Sequence, residues 1–133
     1  MTLAESSQPT TPLTSGFLNT SAPNLARIFD YMAGGTTNFE ADRQAAGALL
    51  QLIPSLGKWV KLRRAFIQEA AYQLHEAGFR QFLDIGSGMP ADDHIHAFAP
   101  EARIVFSDIN PVAVSYGQTA FANQENIAYI RAS

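Results

Sequence analysis

The apolar positions of this chain change period once along its length. From Asn24 to Gly78 they recur at three- and four-residue spacing, the helical repeat. From Gln81 they gather in short runs separated by turn residues. Asn24 can accept bonds from first-turn N–H groups, which predicts a helix with Leu25, Ile28, Phe29 and Met32 on one face. Gly34-Gly35 ends it, because glycine tolerates the left-handed exit conformation. A second helix is expected over Asp42–Ile53, with Ala46, Leu49, Leu50 and Ile53 inward and Pro54 as its stop. Ser55 then caps a longer helix whose apolar face is Trp59, Leu62, Phe66, Ala70 and Leu74, and Gly78 terminates it. The aromatic set Trp59, Phe66, Phe79 and Phe82 reads as core rather than as a binding box.

Beyond Gln81 the pattern predicts a strand over Phe82–Ile85 and a short helix from about Ala91 to Phe98, closed by Pro100. A second strand follows over Arg103–Ser107. Asn110-Pro111 pairs a cap residue with proline at the first helical position, opening a helix from Val112 to about Asn123. Ile127–Ile130 is a third strand. The fold class is therefore α/β: N-terminal helices followed by a partial Rossmann-like, doubly wound parallel sheet comprising its first three strands. Residues 1–23, rich in Ser, Thr and Pro with Glu5 as the one charged residue, are expected to form a flexible tail, from which Phe17 and Leu18 can dock. Residues 24–133 form the domain: a helical cap plus the first half of the sheet. In a doubly wound sheet the first strand is central. Here no later strand flanks it, so a bare apolar edge is expected, which soluble proteins avoid. Three resolutions follow: C-terminal truncation, a second chain or homo-oligomer covering strand one, or a different closure of the sheet.

Composition narrows the class of partner. The net charge is −3 and hydrophobic residues make up 47% of the chain, which fits a globular domain and gives no electrostatic reason to expect nucleic acid or an anionic membrane. The chain has no cysteine, so a thiolate nucleophile, thiolate metal site or disulfide framework is excluded. No apolar run approaches the roughly 20 residues that cross a bilayer, and no basic-then-apolar leader is visible. A cytoplasmic location is the expectation that fits these features.

The chemistry concentrates where the strands end. Leu83-Asp84-Ile85-Gly86-Ser87-Gly88-Met89-Pro90 is an apolar strand that ends in an acid and breaks into a glycine turn; Ile104-Val105-Phe106-Ser107-Asp108 is a second strand ending in an acid. Two parallel strands with these ends form a nucleotide-ribose site at the crevice of an open sheet. Gly86 and Gly88 let the backbone turn tightly and approach a ligand. The same residues, with Ala91 last and Asp108 downstream, also satisfy a dinucleotide fingerprint, so an NAD(P)-dependent oxidoreductase is the competing reading. Against it, Asp84 would repel a pyrophosphate but attract the ammonium of a methionine moiety. Pro90 also removes an N–H from the helix entrance where a pyrophosphate would bind. The expected ligand is thus S-adenosylmethionine. Asn110 serves as the helix cap, which leaves Asp108 for ribose hydroxyls. Asp92-Asp93-His94-Ile95-His96 has metal-ligand residue types but reads as a solvated helix surface, because neighbours one or two apart do not face each other on a helix. His75 reads as a surface residue. Arg27, Asp30, Arg43, Lys58, Lys61, Arg63 and Arg64 read as a solvated mixed face with local ion pairs, the sharper alternative being that Asp30 and Arg64 pair to hold the helical cap over the cofactor.

The motifs Ala26-Arg27-Ile28-Phe29-Asp30-Tyr31-Met32-Ala33-Gly34-Gly35, Asn38-Phe39, Ala41-Asp42-Arg43 and Arg64-Ala65-Phe66, taken with the glycine turn and Ser107-Asp108-Ile109-Asn110-Pro111, resemble a bacterial S-adenosyl methyltransferase family once described as a domain of unknown function. The resemblance runs from about Pro23 to the C-terminus. It implies a class I methyltransferase fold and S-adenosylmethionine as cofactor. It implies that Asp84, Gly86, Ser87 and Gly88 hold the methionine part, that Asp108 binds the ribose and that Ile109 flanks the adenine. Tyr31, Gly34 and Arg64 would lie near the site because the N-terminal helices cap it. Family members run to roughly twice this length, a complete domain size. The implied function is methyl transfer to an unidentified small molecule; the alternative is a truncated, non-catalytic cofactor-binding or interaction module. No catalytic residue is assigned.

Overall fold

The protein is described by a computed structural model over residues 19–132. The expected docking of Phe17 and Leu18, and most of the expected tail, lie outside these residues. Eight elements follow in order: α1 (Leu25–Met32), α2 (Glu40–Leu52), α3 (Leu56–Glu76), β1 (Gln81–Ile85), α4 (Ile95–Phe98), β2 (Arg103–Asp108), α5 (Pro111–Ala120) and β3 (Ile127–Arg131). The strands form one parallel sheet in the order β1-β2-β3. This is the expected mixed α/β fold, with three helices before the sheet.

Local chemistry explains the boundaries. The Asn24 side chain accepts from the Ala26 and Arg27 N–H groups and starts α1. Helix α2 starts two residues earlier than its expected Asp42, because Asp42 Oδ2 reaches back to accept the Phe39 N–H at 2.9 Å. Asn110 caps α5 through the Val112 N–H at 3.1 Å, with Pro111 in the first turn. Helix α5 ends at Ala120, short of Asn123.

Strand alternation puts Phe82, Ile104, Phe106, Ile127 and Tyr129 on one face of the sheet, where α4 and α5 close the main core with Ile95, Val112, Val114 and Phe121. Ile28, Met32, Ala46 and Val60 form a second core within the helical cap. The opposite sheet face carries Leu83 and Ile85, 65% and 69% exposed, and the half-exposed Ile130. Among the described residues nothing pairs with the outer edge of β1.

Three expected inward faces differ from those observed. On the second helix Ala46 is buried and Leu49 and Leu50 are partly so, but Ile53, just beyond α2, is half-exposed rather than inward. Leu25 is exposed, and α1 instead buries Ala26, Arg27, Ile28, Asp30 and Met32. In α3 the apolar ridge Trp59, Leu62, Phe66 and Leu74 faces outward, and Phe79 is exposed beyond it. The buried positions of α3 are Val60 and Ala71, with Ile67 packed between them. Both stripes repeat at helical spacing, so periodicity identifies the helix without telling which stripe faces in.

Candidate functional site

The carboxyl ends of β1 and β2 open into a cavity of about 630 Å³ beneath α1 and α3. Its floor is the turn after β1. Gly86 and Gly88 have φ of 71° and 72°, the left-handed region that favours glycine. A Cβ at either position meets no protein atom. The need for glycine is therefore conformational, and the space beside it is open.

The turn is held down by bonds from β2 and β3. Ser87 N–H donates to Ser107 O at 2.8 Å, and Ser107 N–H donates to Ser87 Oγ at 3.1 Å. The Ser87 and Ser107 hydroxyls both donate to Asp84 O, at 2.9 and 3.1 Å. Gly88 N–H donates to Asp108 Oδ2 at 2.8 Å, and Tyr129 Oη donates to Gly88 O at 2.5 Å. Burial, reinforced by Asp108 and Asp84 nearby, pushes the Tyr129 phenol well above its ordinary pKa, so it remains a hydrogen-bond donor.

Asp84, Gly86, Ser87, Gly88, Asp108, Ile109 and Arg64 all line the cavity; Tyr31 and Gly34 do not. Tyr31 is 40% exposed and turned outward, because its α1 neighbours Asp30 and Ala33 take the cavity side. Gly34 instead ends α1 with φ 88°. Asp108 is more engaged than expected: Oδ1 accepts the Asn110 N–H at 2.9 Å while Oδ2 holds Gly88. A carboxylate has about four acceptor sites, so each oxygen can still receive a further hydroxyl. Ser87 lines the cavity while its hydroxyl is committed to the turn, donating to Asp84 O and accepting the Ser107 N–H.

Arg64 pairs with Asp93, not with Asp30. Asp30 Oδ2 instead accepts from Asn38 Nδ2 at 2.9 Å. Gln68 also donates to Asp93, at 3.1 Å. Partial burial opposes ionisation of Asp93, but the hydrogen bond and charge of Arg64 hold its carboxyl below the usual value.

The expectation of a solvated helix over Asp92–His96 is corrected. Helix α4 begins only at Ile95, and the turn before it sends successive side chains in different directions. Asp93 goes to α3, Ile95 goes into the core, and His96 packs edge-on against Phe121 with ring centroids 5.0 Å apart. His94 is one of the cavity residues that sequence reasoning missed, with Asn24 and Asn110 among the others. Its Nδ1 accepts the Ile95 N–H at 3.2 Å, which leaves Nε2 to donate to Ser87 O at 3.2 Å. Its ring stands edge-on to Phe106 at 4.8 Å, and Nδ1 lies 3.7 Å from Asp84 Oδ2. Burial lowers its pKa, against the opposing pull of Asp84, so the ring favours the neutral form. The signal available in the sequence was its place just before an apolar residue, a capping position for α4. Among the described residues no group of three His, Asp or Glu side chains is arranged to hold a metal, and no helix is long and apolar enough to cross a membrane.

A family model described as S-adenosyl methyltransferase matches residues 13–133. The crystal structure of a candidate methyltransferase from Thermobifida fusca YX superposes with a TM-score of 0.79 and 35% identity, over 93% of this chain and 48% of that one. A DUF574 family protein from Streptomyces avermitilis MA-4680 superposes with a TM-score of 0.74 and 35% identity, over 86% of this chain and 46% of that one. The chain thus spans about half the length of the solved structures it matches. No curated protein matches it.

Proposed function

Because this chain belongs to the S-adenosyl methyltransferase family, we propose that its cavity holds S-adenosylmethionine and serves methyl transfer to a small molecule. One observation carries this reading. Asp84, Gly86, Gly88 and Asp108, contributed by the ends of two adjacent strands, line a single cavity roofed by the helical cap.

The residues suit the cofactor group by group. The open space beside Gly86 and Gly88 admits a ligand against the backbone. Asp84 offers a carboxylate to the ammonium of the methionine part, and the Arg64 guanidinium can meet its carboxylate. Asp108 retains acceptor capacity for the ribose hydroxyls, and exposed Ile109 offers an apolar surface to the adenine. When bound, the cofactor supplies an electrophilic methyl group on a sulfonium. The work of this chain is to hold that group in line with an acceptor, and proximity and orientation account for much of such a rate gain. A general base is needed only for an acceptor whose proton must leave early, and none is assigned.

The lining charges bear on the acceptor. Asp30, Asp84, Asp93 and Asp108 face the cavity against Arg63 and Arg64. That excess of carboxylates disfavours a nucleic acid and equally the pyrophosphate of a dinucleotide. Because the chain spans about half of its structural relatives, transfer by this chain alone is a separate proposition from cofactor binding. A cofactor-binding module without transfer activity is the second reading.

Calorimetric titration with S-adenosylhomocysteine, with NADH as the control, tests the first step. We expect micromolar binding of the homocysteine compound and none of NADH. Binding of NADH alone, or of neither ligand, would refute the assignment. Asp108→Ala should cost about 1.5–3 kcal/mol of binding, the worth of a hydrogen bond to a charged group.

A further inference from the structure

One unbroken run of hydrogen bonds joins the helical cap to the acid at the end of β2. Arg27, 1% exposed, donates from Nε to Asp42 Oδ2 at 2.9 Å. Asp42 Oδ1 accepts the Asn24 N–H at 2.8 Å. The Asn24 carboxamide then meets that of Asn110: Asn24 Nδ2 donates to Asn110 Oδ1 at 3.2 Å, and Asn110 Nδ2 donates to Asn24 Oδ1 at 3.0 Å. Asn110 N–H continues to Asp108 Oδ1 at 2.9 Å, and Asp108 Oδ2 holds the Gly88 N–H at 2.8 Å. Both asparagines line the cavity.

Capping does not account for a carboxamide at both positions. Asn24 caps α1 and Asn110 caps α5, and serine caps a helix about as well as asparagine. A two-way bridge between the caps is different. It needs a donor and an acceptor on each side in fixed geometry, which two facing carboxamides provide.

We propose that the Asn24–Asn110 pair is a clamp that couples docking of the helical cap to occupancy of the cavity. The inference rests on the reading of that cavity as the cofactor site. A ligand that bonds Asp108 fixes the loop carrying Asn110, and the pair passes that constraint to the start of α1. By reciprocity, the docked cap holds Asp108 and Gly88 ready for the ligand. Asn24 and Asn110 are positioning residues in this scheme, acting through Asp108.

The test is a double-mutant cycle with Asn24→Ser and Asn110→Ser, which keeps both caps and removes the bridge. S-adenosylhomocysteine affinity is measured by calorimetry, and exchange of the α1 amides is followed with and without that ligand. We expect each single variant to bind about tenfold more weakly, and the double variant to bind no more weakly than either. The ligand should slow exchange across Leu25–Met32 in the unsubstituted chain but not in the variants, a readout that damage to one cap alone would not move. Unchanged affinity in the single variants, or losses that multiply in the double variant, would overturn the clamp. If the unsubstituted chain binds no S-adenosylhomocysteine, the cofactor reading fails. The clamp then stands only if both substitutions share one effect on α1 exchange in the free protein, and falls if their effects add.

Discussion

At the carboxyl end of the sheet each turn is tied to a distant segment, whereas along the outer edge of β1 the side chains meet little protein. The glycine turn is bonded to β2 through Ser107 and Asp108 and to β3 through Tyr129. The roof is tied to the same end through Asn24 and Asn110. On the other side, Phe66 is 72% exposed beside a shallow groove shared with Leu74 and Leu83. The first region spends its polar groups on one another and so fixes a geometry before any ligand arrives. The second leaves apolar area in water, the mark of a surface suited to contact. The difference separates residues whose loss should damage this domain from residues whose loss should not.

The largest effects should come from the buried side of that contrast. Arg27→Met leaves Asp42, itself fully buried, without its cation. Breaking a buried pair by removing one partner costs about 3–5 kcal/mol. Phe106→Ala should cost a similar amount, about 3–5 kcal/mol. Phe106 is 1% exposed and packs against His94, Phe121 and Tyr129. Urea denaturation measures both, and a loss below about 1 kcal/mol, the scale of an exposed ion pair, would show that the cap and core are looser than their burial implies.

The same contrast marks where the sequence was legible. The strands, the glycine turn and the Asn24 and Asn110 caps were readable because each depends on residues adjacent in the chain. The place of Asp84 and Asp108 at the cavity was readable because Asp84 stands next to last in β1 and Asp108 last in β2, and the carboxyl ends of parallel strands open on one crevice. What could not be read was the orientation of α3. Its two stripes, one with Trp59, Leu62 and Phe66 and one with Val60, Ile67 and Ala71, both fit the helical repeat, and tertiary packing chose the less bulky one. His94 is hidden from a sequence reading because the residue pattern extends the helix back to Ala91, where the chain turns instead. The Asn24–Asn110 bridge spans 86 positions and leaves no local signature.

A smaller effect tests how the core steadies the site. Gly117 of α5 lies against the Tyr129 ring, and an added Cβ there would overlap it. Gly117→Ala should therefore cost about 1–3 kcal/mol as overpacking. It should also weaken S-adenosylhomocysteine binding, because Tyr129 holds Gly88 O. Thermal melting and calorimetry measure the two effects separately. A loss of stability with unchanged affinity would show that the turn does not depend on Tyr129.

Acidification probes the same region more gently. Burial lowers the pKa of His94 and of His96 below the ordinary 6.5, with Asp84 opposing the shift at His94 and His94 adding to it at His96. Above pH 6.5 both the folded and unfolded chains carry mostly neutral imidazoles. Below it the unfolded chain takes up protons that the folded chain resists, so stability should fall as pH drops from 6.5 toward the lowered values. Replacing His96 with Phe should flatten that slope in denaturation curves taken from pH 7 downward. A slope that stays unchanged would place the acid sensitivity elsewhere.

The smallest effect expected is also the sharpest check on the comparison. Phe66→Ser removes a large apolar side chain from α3, yet at 72% exposure that side chain has little burial to lose. Substitutions at such surface sites stay within about 0.5 kcal/mol, so its denaturation midpoint should nearly match that of the unsubstituted chain. Suppose instead that Phe66→Ser cost as much as Phe106→Ala, and that the loss shrank on dilution of the unsubstituted protein. The ridge would then be buried against a second copy in solution, because a partner that binds the folded form adds stability that depends on concentration. The two regions would no longer differ in burial, only in whether the covering residues come from the same molecule.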